Sequence, residues 1–284
     1  MTQLAIIGPG LLGGSIALAA RQSGGFRVAA WARRAEAVAE LQGLALAERV
    51  STDLAETVAD ADLVVLCVPI GAMADLARQI AAVIPPGAVV TDVGSVKAPV
   101  VEELGTIFSR RGRFVGSHPM AGSEQNGLTA ASADLFAGAA CIVTPDQNSD
   151  AGAVAAVHGF WETLGCRVLE TSPERHDEIV ALVSHFPHLL AATLVNVVAE
   201  QNAGAFELSG PGFRDTTRVA AGPPAMWAEI LRSNRAAVRK SAEAMIEKLR
   251  EIVTLLDHDA SMTEFLTHAK AQRDRLRLPK TPHA

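Results

Sequence analysis

The stretch Leu4-Ala5-Ile6-Ile7-Gly8-Pro9-Gly10-Leu11-Leu12-Gly13 sets an apolar run against a glycine-rich turn, and a helical pattern follows through Arg21 to a Gly24-Gly25 stop. Placed between a strand and a helix, its G-x-G-x-x-G spacing reads as a dinucleotide fingerprint. Gly8 permits the tight turn, Gly10 lets backbone approach a pyrophosphate, and Gly13 allows helix and strand to pack closely. The helix N-terminus adds N–H groups and partial positive charge. Gly8, Gly10, Leu11, Leu12 and Gly13 are therefore candidate cofactor contacts, with Val68 and Pro69 at the end of a later apolar run.

The same alternation continues along the chain. Residues 26–31 read as a strand, 35–42 as a helix, 63–68 as a fully apolar strand, 72–83 as a helix and 88–92 as another strand. Further strands are expected at 113–116, 141–145 and 166–170, with a helix over 151–164. Apolar strands alternating with helices imply an α/β fold: an N-terminal Rossmann-type, doubly wound parallel sheet covered on both faces. After Pro173 the pattern changes, and 174–201 and 226–257 read as long helices with no strand behind them. The expected organisation is a Rossmann domain over 1–172 and an all-α substrate and dimerisation domain over 173–284. The long helices carry apolar residues on more than one face, which suits cover by a second subunit; burial within one chain is the alternative.

Composition narrows the function. At 284 residues the chain exceeds what one core serves comfortably, in keeping with two domains. A net charge of −6 speaks against a nucleic-acid partner. Cys67, Cys141 and Cys166 are odd in number and lack C-x-x-C spacing, so neither a disulfide framework nor a zinc site is expected, and a reducing, cytoplasmic setting is. The apolar N-terminus has no cationic leader and is broken by glycines and Pro9, so neither export nor a membrane span is expected. There is no tyrosine, which excludes a tyrosyl acid or nucleophile.

The cofactor's ribose is read at the end of the second strand, where an acidic residue suits NAD and a basic group suits the 2′-phosphate of NADP. Here the chain reads Trp31-Ala32-Arg33-Arg34, with two guanidiniums and no carboxylate. NADP is the preferred cofactor, with NAD possible if Arg33 and Arg34 merely begin the next helix as a solvated face.

Two segments fall where the C-terminal edge of the sheet is expected: Asp92-Val93-Gly94-Ser95-Val96-Lys97 and Gly116-Ser117-His118-Pro119-Met120-Ala121-Gly122-Ser123-Glu124. Ligands bind at that edge in open α/β sheets. A histidine there accepts a proton near neutral pH, which removal of hydride from an alcohol carbon requires. His118 is the candidate base, a turn histidine being the plainer alternative. Ser184-His185-Phe186-Pro187-His188 lies in the first long helix, where 185 and 188 share a face. No third ligand completes a metal set, and no metal is expected.

Together, G-P-G-L-L-G-G-S, D-V-G-S-V-K, S-H-P-M-A-G-S-E, S-H-F-P-H-L-L and G-F-R-D-T-T-R resemble the prephenate/arogenate dehydrogenase family of tyrosine biosynthesis, in the right order over about the first 235 residues. The resemblance implies a Rossmann domain followed by a helical dimerisation domain, and oxidative decarboxylation as the reaction: hydride leaves the carbon bearing the 4-hydroxyl, the ring carboxylate departs as CO2, and the ring becomes aromatic. It makes His118 the acceptor of the hydroxyl proton, with Ser95 assisting. It makes His188 a substrate contact with Ser123, Ser184 and His185 near it. It gives Arg218 the grip on a carboxylate, with Arg214 as the backup, and suggests an ionic network of Glu124, Asp215 and Arg218 at the cleft mouth, close to Trp227 of a partner subunit. Prephenate is favoured over arogenate because a cationic Arg218 beside the side chain suits a keto group better than an amino group. The rivals are another NADP-linked enzyme of the 3-hydroxyacid dehydrogenase or imine reductase kind, and a silent NADP-binding sensor.

Overall fold

The computed structural model describes residues 1–109, 113–122 and 127–276. Strands β1 (Thr2–Ile7), β2 (Phe26–Trp31), β3 (Arg49–Ser51), β4 (Leu63–Leu66), β5 (Val89–Asp92) and β6 (Arg113–Phe114) form one parallel sheet in the order β3-β2-β1-β4-β5-β6. Successive residues of its strands point to opposite faces, and both faces are buried. Leu4, Ile6, Leu63 and Val65 enter one core, while Ala5, Ile7, Val64 and Leu66 enter the other. This is why these strands read as unbroken apolar runs rather than as alternating patterns.

Helices α1 (Leu11–Ser23), α2 (Ala35–Gly43) and α6 (Ala151–Thr163) cover the first face, and α3 (Leu54–Val58), α4 (Ile70–Val83) and α5 (Ala98–Phe108) the second. The strand order reverses direction between β1 and β4, which places the ligand crevice outside their C-terminal ends.

The expected strand over 113–116 divides in two. Arg113 and Phe114 extend the parallel sheet, and from Gly116 the chain leaves to form β7 (Gly116–Pro119), antiparallel to β8 (Ala140–Thr144), which in turn is parallel to β9 (Arg167–Glu170). The departure needs glycine, since a Cβ on Gly116 would lie 2.6 Å from Thr144 Oγ1 and 2.7 Å from Val101 Cγ2. His118 therefore sits inside a strand of a small second sheet rather than in a loop after a Rossmann strand. The elements β3, α3 and α5, absent from the expected pattern, complete the α/β part.

The remainder is helical: α7 (Pro173–Val180), α8 (Phe186–Asn202), α9 (Pro211–Thr217), α10 (Pro224–Ser233), α11 (Arg235–Leu255) and α12 (Asp259–Asp274). The single helix expected over 174–201 is interrupted by a π turn, Ala181–His185, and the one over 226–257 by Asn234. The run Pro173–Leu208 is long and apolar enough to cross a bilayer by length and composition alone. In the fold, however, its first turns carry a polar network that docks on the α/β part.

Candidate active site

The turn after β1 has the geometry its glycines suggested. Gly8 has φ +109°, and a Cβ there would lie 2.5 Å from the Cys67 carbonyl oxygen, so only glycine lets the end of β1 and the Cys67-Val68 segment just past β4 come together. A Cβ on Gly13 would fall 2.0 Å from the carbonyl oxygen of Gly8. Gly10, by contrast, faces open space and begins α1 with no side-chain cap, so first-turn N–H groups remain available. An open cradle over an uncapped helix N-terminus fits a dinucleotide pyrophosphate. Val68 and Pro69 lead into α4 beside it, and Arg33 and Arg34 are exposed just past the end of β2.

Beyond the end of β5 lies a buried polar network. Lys97 and Asp92 form an ion pair with both side chains fully buried. The Lys97 ammonium also donates to the Ser117 carbonyl at 3.0 Å, and the Asp92 carboxylate accepts from the backbone N–H of Gly94 at 2.8 Å and of Ser117 at 3.2 Å. The Ser117 hydroxyl bonds the Asp92 carbonyl at 2.6 Å, and the Trp161 indole donates to that hydroxyl at 2.9 Å. These contacts lock the loop bearing Ser95 to the strand bearing His118.

His118 itself is buried, and its Nδ1 lies 2.9 Å from Nε2 of His176, whose Nδ1 lies 2.8 Å from Asp177 Oδ1. Burial holds His118 well below the usual imidazole range, and the neighbouring His176, Lys97 and His185 push in the same direction. It is therefore neutral near pH 7, the form that accepts a proton.

The π turn decides what the helical part presents. In a straight helix the 3.6-residue period would carry the buried face of His176, Asp177, Val180 and Ala181 on to Ser184. The extra residue, marked by the Phe186 N–H bond to the Ala181 carbonyl, turns His185 inward instead. Pro187 explains the break: it has no N–H for an α-helical bond, and the π turn lets it sit in the opening turn of α8, where none is needed. His185 Nδ1 lies 3.1 Å from Asn234 Nδ2; burial lowers its pKa to about 4 against the opposing pull of Asp177, and the Ser95 backbone lies beside it.

His188 stacks on Trp227, with centroids 3.6 Å apart and planes 11° from parallel. Its Nδ1 is buried and has no partner among the described residues. Trp227, expected from a partner subunit, makes this stack within its own chain. Gly222 makes room for it, since a Cβ there would lie 2.4 Å from the Trp227 indole nitrogen.

The fold thus brings Ser95, His118 and His185 together where the two parts meet, with His188 on the same Trp227 ring that His185 approaches. Ser184 is exposed on the turn. Asp215 on α9 and Arg218 just after it are exposed, as is the backup Arg214. Ser123 and Glu124 lie outside the described residues. Sequence reading missed His176, Asp177, Lys97 as a buried cation, and Asn234. The one local signal was Ser172-Pro173, a helix start that places His176 and Asp177 in the opening turns of α7.

A buried, neutral histidine and an open glycine turn at a helix start thus belong to one fold, and the comparisons with known proteins name its family. The family model described as prephenate dehydrogenase, nucleotide-binding domain, matches residues 16–170, and the one described as prephenate dehydrogenase, dimerization domain, matches residues 172–271. The cyclohexadienyl dehydrogenase of Zymomonas mobilis is 35% identical over 288 residues, covering 99% of this chain and 97% of that protein. The crystal structure of prephenate dehydrogenase from A. aeolicus with hydroxyphenyl propionate and NAD+ superposes with a TM-score of 0.91 at 30% identity, covering 98% of this chain and 99% of that one. Synechocystis arogenate dehydrogenase gives a TM-score of 0.85 at 28% identity, over 97% and 100% of the two chains. By sequence over both its parts and by fold over its whole length, this chain belongs to the prephenate/arogenate dehydrogenase family of NAD(P)-dependent oxidoreductases.

Proposed function

We propose that the chain oxidatively decarboxylates prephenate to 4-hydroxyphenylpyruvate, with NADP preferred, in tyrosine biosynthesis. The observation that carries this reading is His118: buried, neutral, and fixed beside the crevice at the end of the parallel sheet. When bound, the nicotinamide accepts the hydride from the ring carbon bearing the 4-hydroxyl. His118 takes the hydroxyl proton as the carbonyl develops, Ser95 supports the same hydroxyl, and loss of the ring carboxylate as CO2 makes the ring aromatic. His188 offers its unpartnered Nδ1 to the substrate, with Ser123, Ser184 and His185 near it, and Arg218 holds a carboxylate. Asp215 and Glu124 belong to the ionic network around that arginine, and Trp227 steadies His188 by stacking. Gly8, Gly10, Leu11, Leu12, Gly13, Val68 and Pro69 hold the dinucleotide, and Arg33 and Arg34 take the 2′-phosphate.

The division into a cofactor domain over 1–172 and a substrate domain over 173–284 belongs to the same reading, as does a cytoplasmic homodimer through the helical part. Leu182 and Val183 are 63% and 64% exposed, and Leu190, Leu194 and Val197 are exposed further along α8. A second copy laid on that face accounts for an apolar helix that the single chain leaves open.

The deciding experiment measures kcat/KM for prephenate and arogenate with NADP+ and NAD+. The highest value is expected for prephenate with NADP+; a higher value on arogenate overturns the substrate choice, and one with NAD+ overturns the role of Arg33 and Arg34. His118→Asn is expected to abolish turnover while prephenate still binds, and unchanged turnover would dispose of the assignment.

A further inference from the structure

We propose that His176 and Asp177 are positioning residues that hold His118 in the one tautomer able to take the substrate's proton. The proposal rests on the reading of His118 as the base. Its ground is the continuous file Asp177 Oδ1, His176 Nδ1, His176 Nε2, His118 Nδ1, with gaps of 2.8 Å and 2.9 Å.

The direction of each bond follows from what the groups are able to donate. A carboxylate only accepts, so the proton between Asp177 and His176 sits on His176 Nδ1. A neutral His176 then offers a lone pair at Nε2, and the bond to His118 is donated by His118 Nδ1. That leaves the lone pair of His118 on Nε2. Were His176 protonated, it would donate at Nε2 instead, His118 would carry its proton on Nε2, and the base would be lost. Burial holds His176 below its ordinary value although Asp177 pulls the other way, so the productive arrangement is the resting one.

Asp177 is itself fixed from both parts of the molecule. Its carboxylate accepts the Lys97 N–H at 2.7 Å and the Ala98 N–H at 2.9 Å at the start of α5, and its carbonyl accepts from Asn234 Nδ2 at 2.8 Å. Lys97, Asp92 and His185 are the other charged or titratable groups around the two rings. When the hydroxyl proton arrives at Nε2, His118 becomes an imidazolium whose Nδ1–H still points at His176. The positive charge is stabilised through that ring by the Asp177 carboxylate, and no proton needs to pass along the file.

The test takes His176→Leu, which removes the acceptor, and His176→Gln, whose side-chain carbonyl oxygen replaces it. The first is expected to lower kcat by about a hundredfold or more with KM and cofactor Kd within about threefold of the parent, and the second to recover at least about tenfold of that loss. Imidazole nitrogen chemical shifts of the ligand-free protein provide the readout that a merely structural role would not move. The parent is expected to show His118 protonated at Nδ1, and His176→Leu to lose that preference. A parent protonated at Nε2, or a His176→Leu enzyme with unchanged kcat, overturns the proposal. Should His176→Leu fail to fold, the parent tautomer and the His176→Gln kinetics still decide. His118→Asn is run alongside: if it leaves turnover intact the base reading itself fails, whereas its inactivity together with a fully active His176→Leu sinks the positioning role alone.

Discussion

Side chains that cannot be enlarged, recharged or unpaired define the site at the scale of single residues. Gly13→Ala would drive a methyl into the Gly8 carbonyl, so the turn must open, and dinucleotide affinity is expected to fall by about tenfold or more in a Trp-fluorescence titration. Arg33→Ala is expected to raise the KM for NADP+ while leaving that for NAD+ nearly unchanged, because only the former carries a 2′-phosphate for a guanidinium to fork. Lys97→Met would strand the buried Asp92 carboxylate, and a loss of about 3–5 kcal/mol is expected in denaturant unfolding. The close approaches at Gly8 and Gly13 are legible in the chain because they depend on backbone conformation next to a strand end. Lys97 is not legible in that way: nothing local to it says that its ammonium turns back to Asp92 and Ser117 rather than out to water.

Elements place these residues, and here local pattern succeeds where periodicity is strong and fails where a turn resets it. The parallel strands were readable because both of their faces are buried. The π turn was not, because its signal is one proline in an otherwise helical run, and its effect is to exchange Ser184 for His185 on the inner face. Helix α7 depends on its start: Ser172 caps it by accepting the Arg175 N–H at 3.2 Å. Ser172→Ala is expected to cost about 1 kcal/mol, seen as a lower Tm, and to loosen the turns that carry His176 and Asp177. Contact between the two parts is fastened at another helix start, where Glu229 of α10 accepts the Gly71 N–H in the first turn of α4.

At the scale of the whole molecule, four histidines among the described residues are held neutral. His118, His176, His185 and His188 are all lowered by burial, His185 to about 4. Their folded values lie below the unfolded value of about 6.5, so the unfolded chain binds more protons as pH falls. The stability they contribute is complete above about pH 6.5 and is lost progressively below it. Thermal melts are expected to show Tm roughly constant from pH 8 to 7 and falling steeply toward pH 5; a flat profile would contradict the neutral assignments. The sequence by itself determined the α/β-then-helical order and the tight glycine turn after β1, and it made His118 a candidate, because these rest on short-range spacing, on glycine's conformational freedom or on apolar periodicity. Only the tertiary structure decided what aligns His118. His118 and His176 lie 58 residues apart in the chain, Asp177 is anchored by backbone groups of a third element, and contacts between such distant segments leave no periodic trace along the chain.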